Sequence, residues 1–173
     1  MLSERILKEL NDQIRIEWQS AYAYLAASAY CENHNFKGGA HFFRLQHEEE
    51  MVHAMKVFDY VLTRRNGTIQ LQPIDSPCKE FDSLLSVFEY ALENEMRNTD
   101  SIQQILKFAH EEHDYMTVTV LNWFAEEQAE EEDLMDYFVD RLKMVGEDGP
   151  GLLLVDNELL NRKATPQEKG TAV

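Results

Sequence analysis

Two short runs of the sequence hold the residues best suited to chemistry. One is His47-Glu48-Glu49-Glu50-Met51-Val52-His53; the other is Glu126-Glu127-Gln128 followed by Glu130-Glu131. Two isolated acids, Glu17 and Glu95, complete the set. Glu50 and His53 are three residues apart, so on a helix both reach one ion from the same face. Several carboxylate oxygens with a single imidazole and no thiolate suit iron or manganese better than a structural zinc site. A bridging carboxylate such as Glu50 can also hold two ions about 3.5–4 Å apart, the usual spacing of two-metal centres. Taken singly, each residue has a plainer reading. Glu17 or Glu95 would be an edge residue paired with Arg or Lys, and each acidic run a solvated helix face. The position of the whole set on its supporting elements decides between these.

Those elements read as helices. Ser3 is a plausible N-cap, and Ile6, Leu10, Ile14, Ala21 and Leu25 recur at steps of three and four. After Gly38-Gly39 a second periodic run carries Phe42, Phe43, Val57, Tyr60 and Val61 up to Asn66-Gly67, a pair suited to a left-handed C-terminal cap. Residues 68–80 contain Pro73 and Pro77 and show no period. Asp82 would cap a third helix with Phe88, Leu92, Thr99, Ile102, Leu106 and Ala109, and Asp114 a fourth with Val120, Phe124, Met135, Phe138, Leu142 and Val145. The expected spans are helices at 3–34, 38–66, 82–111, 114–145 and 151–160, a crossover at 67–81 and a loose tail at 161–173, all in one domain. A helix of about 28 residues is about 42 Å long. The connector can stretch about 40–45 Å, enough to run the length of such a bundle. The fold class is therefore all-α: a four-helix bundle with one long crossover, helices two and three parallel, and a short fifth helix.

Each apolar stripe is interrupted about 12–14 residues into its helix, that is, near the middle. The interruptions are Glu17 on the first helix and Glu49, Glu50 and His53 on the second. On the third it is Glu95, and on the fourth Glu127, Gln128, Glu130 and Glu131. Mid-helix residues meet at one level whichever way a helix points, so four acidic stripes converge. Unpaired carboxylates in a low-dielectric core cost several kcal/mol each and repel one another. Either they hold protons or cations neutralise them, and the stripes offer too few basic partners. Metal binding is the better solution.

Composition narrows the remaining classes. The chain has 173 residues, 44% hydrophobic and 28% charged, with few Gly (7) and Pro (4), as in an ordinary helical globular domain. Sixteen basic against 32 acidic residues give a net charge of −16, which argues against nucleic acid as a partner. No apolar run reaches the roughly 18 residues of a membrane span. Cys31 and Cys78 make neither a zinc spacing nor a disulfide framework, and no signal peptide is visible, so the expected location is cytoplasmic.

The two motifs together, with Trp123-Phe124-Ala125 before the second, resemble the non-haem ferritins of the bacterial kind, over nearly the whole chain. The resemblance implies iron storage and detoxification. A ferroxidase centre would oxidise paired ferrous ions with dioxygen or peroxide, and ferric mineral would collect in a hollow homo-oligomer, typically of twenty-four subunits. It implies that Glu17, Glu50 and His53 hold one iron and that Glu50, Glu95, Gln128 and Glu131 surround the second. A third site would use Glu49, Glu127, Glu130 and Glu131. Tyr24, seven residues after Glu17, would bond to a ligand or donate an electron; otherwise it is a core aromatic, and core packing is also the plainer role for Trp123. The fourth helix offers Gln128-x-x-Glu131 where bacterioferritins look like Glu-x-x-His, so the second iron should be held less tightly. Met51 stands where bacterioferritins ligate haem, but no haem is expected here. The joint His110-Glu111-Glu112-His113-Asp114 reads as a solvated turn or as an acidic collar, while Val118 and Leu121 stand where animal ferritins line their threefold channel with acids. Two rivals remain: a di-iron oxidoreductase acting on a small organic substrate or peroxide, and a structural bundle whose mid-helix acids face solvent.

Overall fold

The computed structural model describes residues 1–163; of the tail expected at 161–173, residues 164–173 lie outside that range. The described residues form five helices: α1 Glu4–Asn33, α2 Lys37–Thr63, α3 Leu84–Glu111, α4 Tyr115–Val145 and α5 Gly149–Leu160. Helix α1 packs on α2 and α3, α3 packs on α4, and α5 folds back on α2 and α4. The result is a four-helix bundle with a long crossover and a short fifth helix. No helix among the described residues is long and apolar enough to cross a membrane.

Local chemistry sets the helix ends. Ser3 caps α1, its hydroxyl accepting the Ile6 N–H at 3.1 Å, and Asp114 caps α4 by accepting from Thr117. At α3 the cap is Ser83 rather than Asp82, because Ser83 and Ser86 satisfy each other's backbone in a reciprocal capping box. Helix α2 stops at Thr63, earlier than Asn66-Gly67 suggests: Arg64 is already extended, and neither residue of that pair takes a left-handed conformation. Gly67 serves close approach instead, since a Cβ there would lie 1.7 Å from the Val61 carbonyl oxygen. On α1 the core stripe passes through Tyr24 and Ala27, leaving Leu25 40% exposed, contrary to its place in the sequence period.

The start of α2 has no side-chain cap of its own, Phe36 being the N-cap residue. Asp156 of α5 supplies one from a distance, its Oδ1 accepting the Gly39 N–H at 2.9 Å. A Cβ on Gly38 would meet the Asp156 carbonyl oxygen at 1.7 Å, so the backbones of α5 and α2 touch there. The crossover, 64–83, is tied down by amides of α1. Asn11 donates to Thr68 O and accepts from Gln70 N–H, and Gln19 does the same for both backbone groups of Asp75.

The apolar core is divided in two. One half is built on Tyr24, Phe42, Phe43, Phe88 and Phe138. The other is built on Ile6, Leu10, Ile14, Val57, Ile105 and Phe124. Val118 and Leu121 belong to this second half as buried side chains. Each fully buried aromatic or aliphatic side chain contributes about 1.5–3 kcal/mol, which is what allows the layer between the halves to be polar.

Candidate metal centre

That layer is made of the mid-helix interruptions, with the exception of Glu130, which is exposed. Glu17 and Glu95 are 0% exposed, Glu50, His53 and Gln128 1%, Glu131 5% and Glu49 8%. A bundle whose mid-helix acids face solvent is therefore excluded. Each helix brings its residue inward because the residue falls in step with the apolar positions around it, as Glu95 does between Ala91 and Ile102. Among the described residues the buried polar groups include no lysine or arginine.

One ligand atom each from Glu17, Glu50 and His53 lies within 4.8 Å of the other two, a spacing that can hold a metal ion. His53 Nδ1 is 3.7 Å from Glu50 Oε2. Glu50 Oε2 and both ring nitrogens of His53 are buried with no hydrogen-bond partner. Buried polar atoms are nearly always satisfied, so three orphans aimed into one acidic layer mark where a cation fits. The other carboxylates are held. Glu95 accepts from the Tyr24 hydroxyl at one oxygen and from Gln128 Nε2, at 2.9 Å, at the other. Gln46 reaches Glu131 at 3.0 Å and Glu49 at 3.2 Å.

A second group, Glu49, Glu127 and Glu131, also brings ligand atoms within 4.8 Å of one another. Glu127 and Glu131, with Glu130, Asp133, Leu134 and Arg162, line a cavity of about 350 Å³. Glu130 is exposed and lies outside the close trio, although it borders the same cavity. Met51 sits on the exposed side of α2, off the buried layer.

Without a cation the layer resists ionisation. Burial, then the charges of Glu95 and Glu17, pushes the Glu50 carboxyl well above the usual glutamate range. Burial raises Glu95 to about 7, although bonds from Tyr24 and Gln128 pull the other way. Burial together with Glu95, Glu49 and Glu127 raises Glu131 to about 9. Glu127 is raised by burial and by Glu130, while burial lowers His53 and keeps its imidazole neutral and free to ligate. Tyr24 is pushed well above the ordinary phenol value, first by burial, so its hydroxyl keeps the proton that it donates to Glu95.

Trp123 is half-buried, its ring edge-to-face with His53 at 5.5 Å and the Lys56 Nζ 3.0 Å from its ring centroid. At the α3–α4 joint, Glu111 and Glu112 pair with Arg5, and Asp114 with Arg64. The sequence reading missed two buried amides, Gln13 and Asn98, which touch Glu17. Their place in the same helical phase as Glu17 and Glu95 was the available signal.

Comparison with known proteins agrees with this geometry. A family model described as a ferritin-like domain matches residues 7–145. A probable bacterial non-heme ferritin-like protein of Haemophilus influenzae is 40% identical over 161 residues, 93% of this chain and 97% of the relative. A bacterial non-heme ferritin of Staphylococcus aureus is 35% identical over 159 residues, 92% and 95% of the two chains. Among solved structures, a humanized archaeal ferritin superposes with a TM-score of 0.93 at 40% identity, covering 96% of this chain and all (100%) of that one. An open pore ferritin from Archaeoglobus fulgidus gives 0.91 at 38% identity, covering 94% and 98%. On fold, buried acidic layer and relatives alike, the chain belongs to the ferritin-like domain family.

Proposed function

We propose that this chain binds ferrous iron in pairs at the buried layer, oxidises it with dioxygen or peroxide, and passes ferric product into a hollow shell of identical subunits for storage. Iron is the substrate and the cargo. Glu17, Glu50 and His53 take the first ion, Glu50 bridges, and Glu95, Gln128 and Glu131 surround the second. Gln128 brings a neutral oxygen where a carboxylate would bring charge, so the second ion leaves more readily. The trio Glu49, Glu127 and Glu131, with Glu130 on the rim of the adjoining cavity, receives it next. Tyr24 orients Glu95.

The observation that carries this reading is the set of orphaned atoms, Glu50 Oε2 and both His53 nitrogens, buried among four carboxylates. Assembly draws support from the apolar side chains that one subunit leaves bare near the end of α4 and on α5: Met144 at 81%, Leu153 at 63% and Leu154 at 68% exposed. The names of the relatives, ferritins and a ferritin-like protein, support storage, and a cytoplasmic location fits a protein with two free thiols. A di-iron oxidoreductase acting on an organic substrate is less well supported, because the cavity beside the layer is lined mainly by acids.

The test is Glu50→Ala. Anaerobic loading with ferrous ion followed by air should give a fast oxidation phase in the unaltered protein and at least a tenfold slower one in the variant. Light scattering should show the same large particle for both. Undiminished fast oxidation in the variant would show that the centre lies elsewhere.

A further inference from the structure

Gln13 and Asn98 are fully buried amides, each 0% exposed, in a bundle that has no need of amides for packing. Burying an amide is unfavourable unless its donors and acceptor are used, and here they are. Gln13 Nε2 donates to Glu17 Oε1 at 2.7 Å and to Asn98 Oδ1 at 2.5 Å, while its Oε1 accepts from the Ser101 hydroxyl at 2.7 Å. Asn98 Nδ2 donates to Glu17 Oε2 at 3.0 Å and lies 3.4 Å from Gln128 Oε1. The donors thus run in one direction, from Ser101 through Gln13 and Asn98 to Gln128, across α1, α3 and α4.

We propose that Gln13 and Asn98 are positioning residues of the iron centre, fixing Glu17 on the first-ion side and linking it to Gln128 on the second-ion side. The inference rests on the reading of the buried layer as an iron site. Each oxygen of Glu17 takes one amide N–H and keeps a further lone pair for an ion, so the carboxylate arrives already oriented. Gln128 is fixed as well. Its Nε2 is committed to Glu95, which leaves Oε1, the atom able to ligate a cation, facing Asn98.

The experiment is anaerobic titration of the iron-free assembly with cobalt(II), read by calorimetry and by the visible ligand-field bands. Asn98→Leu and Gln13→Met keep side-chain bulk and remove the donors. Each should weaken the first cobalt site by about 10–100-fold and shift its bands. Ser101→Ala, at a half-buried position, releases only Gln13 Oε1 and should weaken binding a few-fold in the same direction, which decides the matter if the other two variants do not assemble. A purely structural role would lower thermal stability and leave the cobalt bands in place. Unchanged affinity and unchanged bands in the variants, with two cobalt ions bound by the unaltered protein, would overturn the positioning role alone. No cobalt bound by the unaltered protein would overturn the metal reading and this inference with it.

Discussion

Raising the pH from about 5 to about 7 should destabilise the iron-free protein, in proportion to the protons its buried acids retain. Glu131, raised to about 9, keeps its proton throughout that interval in the folded chain, whereas an unfolded glutamate near its ordinary 4.5 loses it. Unfolding then releases a proton, so each step up in pH favours the unfolded chain. Glu131 alone accounts for about 2.6 kcal/mol between those two pH values. Glu95, raised to about 7, adds about 2 kcal/mol. Because the two acids share one layer their effects overlap, and the expected loss is about 2.5–5 kcal/mol. The effect vanishes below the unfolded value and levels off above the folded one. The assay is urea unfolding at fixed subunit concentration, at several pH values, on protein stripped of iron. Surface repulsion among the excess acids acts in the same direction, but salt screens it and leaves the buried component intact. Glu131→Gln should remove about half of the salt-resistant slope. A stability that is flat or rising over this range, or a slope untouched by Glu131→Gln, would refute the reasoning.

Other perturbations test other parts of the structure. Tyr24→Phe removes the hydroxyl that lowers Glu95, so Glu95 should titrate higher still and binding of the second ion should weaken about tenfold, as read by anaerobic cobalt(II) titration. Asp156→Ala leaves the Gly39 N–H uncapped and should reduce stability by about 1–3 kcal/mol in the same urea assay. Unmodified stability there would mean that water caps α2 equally well. Of the two thiols, exposed Cys78 should react with a disulfide reagent at once and buried Cys31, held up to about 12, only on unfolding; two fast thiols in the native protein would contradict the packing of α1 against Gly39.

Much of this was legible in the chain, for physical reasons. Glutamates that fall in step with leucines and phenylalanines can be seen without a structure, because helical phase is encoded in spacing; Glu17, Glu50, His53 and Glu95 were found that way. Caps made by adjacent residues, such as Ser3 and Asp114, are equally local. What escaped notice depends on distant partners. The Asp156 cap on α2 joins residues 117 apart, and no local pattern announces it. Gln13 and Asn98 are neutral, and a buried amide puts no misplaced charge into the sequence pattern. Leu25 was misplaced because a step of four from Ala21 is as good a helical period as the step of three that leads to Tyr24, and only the neighbouring helices choose between them. Asp82 and Ser83 are both good capping residues, and the reciprocal bond to Ser86 selects the second.

The split core has a consequence for the life of the molecule. Two oily halves separated by a belt of acids make a bundle that is weakest at its waist, and weakest of all when idle. Cations lodged in the belt would act as rivets there. Subunits carrying cargo would then outlast empty ones under heat or proteolysis, so that turnover falls first on the copies with nothing to hold.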